Sequence, residues 1–500
     1  MYRYRTHALV AAAYLGTFLA SLDISIVNVA LPTIQSALQA DLAGLQWVVD
    51  IYAIALSAVM MSAGPLGDRY GHKRMWLGSV LLFVSGSIMC AMAARLDALL
   101  LGRAVQGIAG ALLIPGAMPI LTHAFPDQGQ RARAIGGWSA FSALALISGP
   151  LIGGLLVEHV GWESVFLVNV PIGVVAALLG AWGIPERRHP EHAAFDPAGQ
   201  MLSMAWLGML SYGLIEMGER GAAPHEVLMP LGLAGIGFIA FVWVELHVKR
   251  PLFPVQLFRK RSLALANVAS FALGFSSYSS LFFLSIFLQQ ARGSSPAVAG
   301  WQLMPQFVVM AAVSLFFSRL AAHYSLKFLM VVGYALVGLA LCSMVTFKPE
   351  TSYIVMGVSF VALGLGTGVS VPATSMMVMG SAPPERAGIA SATMNALRQT
   401  GMTLGIAMLG SAMSVYATHE LSMAAKGAGL ADTANMARSA IMDHIFPANQ
   451  GWIVDLYRVA MARGFVLAMV CAGLVCLAVS FLLFFFHVKN PASREVPVRR

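Results

Sequence analysis

Long apolar runs alternate with short charged or Pro/Gly-rich breaks along the whole chain. The first six runs of spanning length cover about 8–31, 46–66, 75–94, 98–121, 134–157 and 163–184. A polar break from Glu186 to Asp196 follows, then runs near 198–218 and 227–247, then a basic break from Lys249 to Arg261. Six further runs cover about 262–289, 297–319, 327–346, 351–376, 387–416 and 463–487. Because about 20 apolar residues cross a bilayer as a helix, the pattern predicts an all-α polytopic membrane protein with fourteen transmembrane helices. The mixed-charge stretch at about 417–462 predicts amphipathic or irregular structure outside the bilayer instead of another span.

Composition agrees. Of 500 residues, 58% are apolar and 11% charged, against about 25% charged in an ordinary soluble domain, and the mean hydropathy is +0.76. A soluble multidomain protein is thereby excluded. The net charge of +9 reads as topology, not as affinity for nucleic acid, once the loops are sorted by side. With fourteen spans, 21 of the 31 Lys and Arg fall on the side of the N-terminus and 8 on the other, while Arg103 and Arg398 lie inside spans. Positive charge collects on the cytoplasmic face, so both termini are expected in the cytoplasm and the span number even. The first run is too long for a signal-peptide core and ends without a small-x-small cleavage site, so it is expected to remain as the first span. Cys90, Cys342, Cys471 and Cys476 all lie in apolar stretches, which supports neither a disulfide framework nor a metal site; no metal or cofactor is expected.

The chain also echoes itself. Residues 64–74, Gly-Pro-Leu-Gly-Asp-Arg-Tyr-Gly-His-Lys-Arg, align at an offset of 254 with 318–328, keeping Leu66/Leu320, Tyr70/Tyr324 and Lys73/Lys327. Gly107 and Pro115 match Gly364 and Pro372, and Arg133-Ala134 matches Arg386-Ala387, at nearly the same offset. This predicts two six-helix bundles, 1–184 and 262–500, with a pair of helices inserted at 185–261. Duplicated halves are a transporter architecture, with substrate bound near mid-membrane at their interface.

Several polar groups stand where a membrane makes them costly. Asp23 lies in the middle of the first run, where a carboxylate costs about 2.5–3.5 kcal/mol on insertion scales. Burial favours the neutral form of a carboxyl group, so Asp23 reads either as a proton-exchanging group facing a central cavity or as a structural carboxylate held by an arginine or helix-end amides. Arg103 lies about a turn into the fourth run, with Gln106 on the same face; it either serves that carboxylate or snorkels to the outer surface. Asp50 either pairs with Arg103 or reaches external water, and Arg398 is deep enough for a buried ion pair or a cavity role. Glu216 and Glu245 lie near span ends and read as solvated.

In the loop 64–74, Gly64, Gly67 and Gly71 allow a tight reversal, Asp68 suits a helix N-terminus, and Arg69, Lys73 and Arg74 hold the loop at an anionic surface. Gly149, Pro150, Gly153 and Gly154 fall within two turns, where small residues let helices approach closely and the proline kinks its helix. Tyr14, Phe18, Asn28, Tyr52, Gln106 and Arg398 are candidates to line a substrate cavity.

Taken together, Leu22–Pro32, the 64–74 loop, Arg103 with Gln106-Gly107, and Gly149-Pro150 with Gly153-Gly154 resemble the fourteen-span drug:proton antiporter branch of the major facilitator superfamily, over nearly the whole chain. Trp162, Phe166, Asn169, Pro171 and Gly173 add to the likeness; Glu163 departs from it, since the family usually has a basic residue there. The resemblance implies rocker-switch alternating access in a bacterial inner membrane, export of lipophilic, cationic drugs or toxic compounds, and proton coupling through Asp23 assisted by Arg103. It also implies a latch in the 64–74 loop with Asp68 bridging the halves, and an exporter signature in the Gly149-Pro150 helix. A periplasmic adaptor with an outer-membrane channel stays open as a partner.

The chain lacks a Gly-Lys-Ser/Thr phosphate loop, His-Glu-x-x-His and Gly-x-Ser-x-Gly, so an ATP-driven pump or an enzyme is not expected. Glu216-Met-Gly-Glu219-Arg220 has a peptide-symporter spacing but stands after the wrong span. An exporter of an endogenous metabolite, or a membrane sensor that does not transport, remains as the alternative.

Overall fold

The structure, a computed structural model, describes residues 2–60, 62–125, 127–186, 196–220, 225–248, 260–381, 387–427, 433–442, 444–446 and 451–485. The basic segments 187–195 and 249–259 and the tail 486–500, which supply many of the positive charges sorted above, lie outside the described residues. All regular elements described are helical. The first set comprises α1 (Tyr2–Leu38), α2 (Leu42–Met60), α3 (Ala63–Tyr70), α4 (His72–Ala91), α5 (Leu96–Ala124), α6 (Gln128–His159), α7 (Ser164–Leu167) and α8 (Asn169–Gly183). Then come α9 (Pro197–Arg220) and α10 (His225–His247). The last set is α11 (Arg261–Leu273), α12 (Ser279–Ile286), α13 (Pro296–His323), α14 (Leu326–Ser343), α15 (Tyr353–Ser381), α16 (Ala387–Gly427), α17 (Thr433–Met442) and α18 (Gly451–Phe485), with π-turns at Gly274–Tyr278 and Phe287–Ala291.

Twelve described segments are long and apolar enough to cross a membrane. Two of the fourteen predicted runs stand apart from them. In α6 the described apolar stretch is Leu144–His159, and α9, of 24 residues, carries Gln200, Glu216, Glu219 and Arg220. Several helices outrun their apolar cores: α1 starts at Tyr2 and ends at Leu38, and α16 continues to Gly427. Hydropathy marks the slab a helix must cross, not where its backbone hydrogen bonds stop. The described parts of 417–462 are therefore the ends of α16 and α18 and the ten-residue α17. Sequence-local caps start three helices: Asp127, Ser295 and Ser325 accept the amides of Gln130, Val298 and Phe328, which satisfies donors the first turn leaves free.

Helices α1, α2, α4, α5, α6 and α8 pack chiefly on one another, as do α11 to α16 and α18. The two sets meet along α6 with α13 and α2 with α16, and α1 also touches α12 and α13. These contacts differ at the two ends of the molecule. At the end remote from the start of α1, one apolar core runs across both sets, from Leu22, Ile26 and Ile34 to Leu284, Phe287 and Leu303. At the end where α1 begins, a separate core of Leu9, Ala13, Trp76, Phe83 and Leu113 stays within the first set. There a cavity of about 1140 Å³ opens, lined by His7, Tyr14, Gln130 and Phe141 among others. The molecule is sealed at the remote end and open at the terminal one.

Helices α9 and α10 pack together, and α9 closes the side of the molecule against α2 and α16. Its contacts are close: Ser411 donates to the Leu214 carbonyl at 2.7 Å and Ser62 to Gln200 Oε1 at 2.7 Å. The outer face of α10 exposes Leu228, Ile236, Ile239 and Trp243, an apolar surface suited to lipid.

Candidate functional site

Asp23 and Arg103 meet inside the first set. Asp23 is 0% and Arg103 1% exposed, and Arg103 Nη1 donates to Asp23 Oδ2. Gln106 Nε2 and Asn169 Nδ2 donate to Asp23 Oδ1 at 3.0 and 3.1 Å, so every described contact of the carboxylate is a donor. Arg103 also donates to the Val48 carbonyl at 3.0 Å and to Gln106 Oε1 at 2.9 Å. Its guanidinium lies 4.3 Å from the Tyr52 ring centroid, a favourable cation–π distance. Ser87 accepts from Gln106 and Asn169 at 2.8 and 3.3 Å, and Cys90 Sγ lies 3.5 Å from Gln106 Oε1. Helices α1, α2, α4, α5 and α8 all contribute.

The structure chooses among the readings left open. Arg103 serves the buried carboxylate and does not snorkel, because its partners lie inward. Tyr52, taken as a cavity wall, is 1% exposed beneath Arg103. Of the two readings of Asp23, this conformation shows the carboxylate held by an arginine, with Gln106 and Asn169 enclosing it and neither cavity reaching it. Ser87 and Cys90 were missed as site residues; a small polar or thiol group in an apolar helix carries no signal of its own. Asn169 was noted only through its motif.

Asp50, on α2 two residues beyond Val48, is also 0% exposed. Neither carboxyl oxygen has a hydrogen-bond partner among the described residues, so it pairs neither with Arg103 nor with external water. An unpaired carboxylate buried there is costly, and such groups are kept neutral instead.

The 64–74 segment forms α3, a turn at Gly71 and the start of α4. Gly71 has φ +103, a conformation a side chain strains. Asp68 Oδ1 accepts from His72 Nε2 at 3.0 Å, within the same segment, and among the described residues it makes no ion pair with the last set. Lys73 Nζ donates to the Ala181 carbonyl at 2.6 Å, and Arg74 Nε lies 3.6 Å from Glu186. Arg69 is exposed, 5.4 Å from the Tyr70 ring.

The glycines of α6 serve two neighbours. A β-carbon on Gly149 would strike Ser25 and the Ile26 amide, and one on Gly153 would strike Ile26, all on α1. One on Gly154 would lie 2.5 Å from the Pro296 carbonyl of α13, and Gly300 of α13 packs on the Pro150 carbonyl in return. Next to this crossing, Glu158 Oε2 accepts from Ser295 Oγ at 2.8 Å and the Ala297 amide at 3.1 Å. Those two bonds hold Glu158 below the usual carboxyl range.

Between the sets lies a smaller central cavity of about 50 Å³. Asn28 and Val49 contribute from the first set and Tyr278, Gln306, Thr367 and Met402 from the last. Among the described residues, no Asp or Glu lines either it or the wide cavity. Tyr14 lines the wide cavity, while Phe18 packs half-buried against the shared core. Arg398 lies over Tyr278, 5.3 Å from its ring centroid.

Two packed helix sets, a cavity between them and a charge cluster buried in one define a membrane transporter. The chain belongs to the Major Facilitator Superfamily, whose family model matches residues 13–406. It is 35% identical over 405 residues to the methylenomycin A resistance protein of Bacillus subtilis, covering 81% of this chain and 87% of that one. It is 32% identical to the tetracenomycin C resistance and export protein of Streptomyces glaucescens, over 97% and 93% of the two chains. In fold it resembles a bacterial homolog of the human lysosomal transporter Spinster, solved inward-facing and unoccupied, with TM-score 0.66, 19% identity, and 96% and 97% coverage. The protein is a transporter and not an enzyme.

Proposed function

We propose that the protein exports lipophilic drugs or toxic compounds across a bacterial inner membrane in exchange for protons, by rocker-switch alternating access. Two relatives named for antibiotic resistance, each over 30% identical across most of the chain, support drug export. The observation that carries the mechanism is the course of α1. Tyr14 lines the open cavity, Asp23 holds the buried pair and Asn28 lines the central cavity, all on this one helix. Beyond Asn28, the carbonyls of Asn28 and Val29 accept from Ser285 and Gln289 of the last set, at 2.6 and 3.0 Å. A proton reaching Asp23 removes the negative charge that holds Arg103, and any shift of α1 that follows acts on both cavity walls and on the seal.

Asp50, buried without a hydrogen-bond partner among the described residues, completes the scheme as the second acid beside the Asp23–Arg103 pair. The terminal side is cytoplasmic and the conformation inward-open, with the 64–74 latch released and Asp68 turned to His72. The architecture is two six-helix bundles, 1–184 and 262–500, with α9 and α10 inserted, fourteen spans in all; α6 and α9 cross as polar-containing helices shielded by their neighbours. The driving force suffices: an entering proton releases about 2.3 kcal/mol per 100 mV and about 1.36 kcal/mol per pH unit.

Everted vesicles with a preformed pH gradient test the reading. An exported compound dissipates the gradient, and Asp23→Asn and Asp50→Asn each abolish that response. A response unchanged in both variants rejects these two carriers.

A further inference from the structure

Resting on the export reading above for direction alone, we propose that the cargo is a lipophilic organic anion, a carboxylate, sulfonate or phenolate on an aromatic frame, and that Arg398 is its counter-charge. Arg398 lies three turns into α16, half-buried. A guanidinium stays charged at any working pH and offers five donors. Three of those of Arg103 are met by a carboxylate, a carbonyl and an amide oxygen. Arg398 meets only Asn395 Oδ1 and the face of Tyr278, and no carboxylate pairs with it among the described residues. An arginine at membrane depth marks a functional site, and its partner is to be named.

Its place on the helix names that partner. Met402 and Ile406 follow Arg398 at four-residue spacing, on the same face of α16, and both line the central cavity. Tyr278, beneath the guanidinium, lines it too. The rest of the wall supplies amides, hydroxyls and rings, among them Asn28, Gln306, Thr367 and Phe307, and among the described residues no acid lines either cavity. Asp23 and Asp50, the acids inside the first two spans, are fully buried. A lipophilic cation entering here meets a positive charge and no counter-charge. An anion meets Tyr278 and Phe307 with its aromatic frame and, behind Tyr278, a guanidinium that among the described residues bonds only Asn395. The cationic cargo implied by family resemblance is therefore replaced by an anionic one.

The charge balance gives a second signature. One proton entering for one monoanion leaving moves two charges in the same sense, so flux rises with membrane potential as well as with the pH gradient. Exchange for a monovalent cation is electroneutral.

Fluorescence anisotropy with the purified full chain in lipid nanodiscs decides the matter, using two dyes of similar frame: anionic fluorescein and a cationic rhodamine ester. Fluorescein is expected to bind about tenfold more tightly than the rhodamine, with Arg398→Gln removing that advantage and Arg398→Lys restoring part of it, since lysine keeps the charge but not the fork. Should Arg398→Gln fail to fold, Arg398→Lys carries the comparison through its weakened fluorescein binding. Tighter rhodamine binding, fluorescein affinity unchanged in a folded Arg398→Gln, or no fluorescein binding overturns the proposal. Proton flux in vesicles is read separately: its absence removes the coupled-export reading and leaves the binding result standing.

Discussion

Asp23 and Arg103 come from positions 80 residues apart, and each supplies what desolvation took from the other. Breaking one side of such a pair costs about 3–5 kcal/mol, because the remaining charge stays buried without compensation. Arg103→Ala is therefore expected to lower the melting temperature in detergent markedly, and Asp23→Asn added to Arg103→Ala to recover part of the loss. Equal melting temperatures in the single and double variants would show that charge pairing is not what holds the cluster. The charged members of this site were legible in the sequence, because a charge within an apolar run is conspicuous. Ser87, Cys90 and the stacking role of Tyr52 were not, since their chemistry comes from what faces them across four other helices.

At the scale of elements, the offset of about 254 residues has a structural meaning. Lys73 donates to Ala181 near the end of α8, and Lys327 donates to Phe484 at the end of α18 at 3.0 Å. Cations suit helix C-termini, and the matched lysines perform the same task in each set. Gly107 lets α5 press on the Tyr52 carbonyl of α2, as Gly364 lets α15 press on the Gln306 carbonyl of α13. The same offsets carry Asp23 to Ser277 and Arg103 to Phe360, so the packing was kept in both copies and the buried charges in one. The α6 glycines give a direct test. In Gly154→Ala the added carbon meets backbone, which cannot swing aside, so α6 and α13 must part. Spin labels at exposed Gln39 and Glu350, on either side of the sealed end, should report longer distances. Gly235→Ala on α10, where a β-carbon meets nothing within 4 Å, should leave them unchanged; no change in Gly154→Ala either would remove this crossing from the seal.

For the whole molecule, the question is which end is closed, and Glu158 bears on it because its bonds join one helix set to the other. Its acidity is raised by the Ser295 hydroxyl and the Ala297 amide, with His159 contributing in the same sense. A carboxyl group held below its ordinary range stabilises the joined state above that range, and the contribution fades as pH falls through the lowered value. Acidification at the sealed end is thus expected to lengthen the same label distances, and Glu158→Gln to lengthen them at neutral pH and flatten the pH response. A pH response identical in Glu158→Gln would assign it to other groups.

The sequence by itself determined the helical membrane class, most of the crossings and the short set of charges that needed explaining. Each of these depends on composition along the chain or on spacing within one helix, and the cost of polar groups in lipid writes both into the residue order. The tertiary structure alone decided that, among the described residues, Asp23 is enclosed by donors and Asp50 left without any, that Gly154 faces the other helix set while Gly149 and Gly153 face α1, and that Arg398 lies over Tyr278, which lines the central cavity. Those outcomes turn on how each helix is rotated about its axis and which distant segment lies opposite, and neither is a property of any stretch of sequence short enough to read alone.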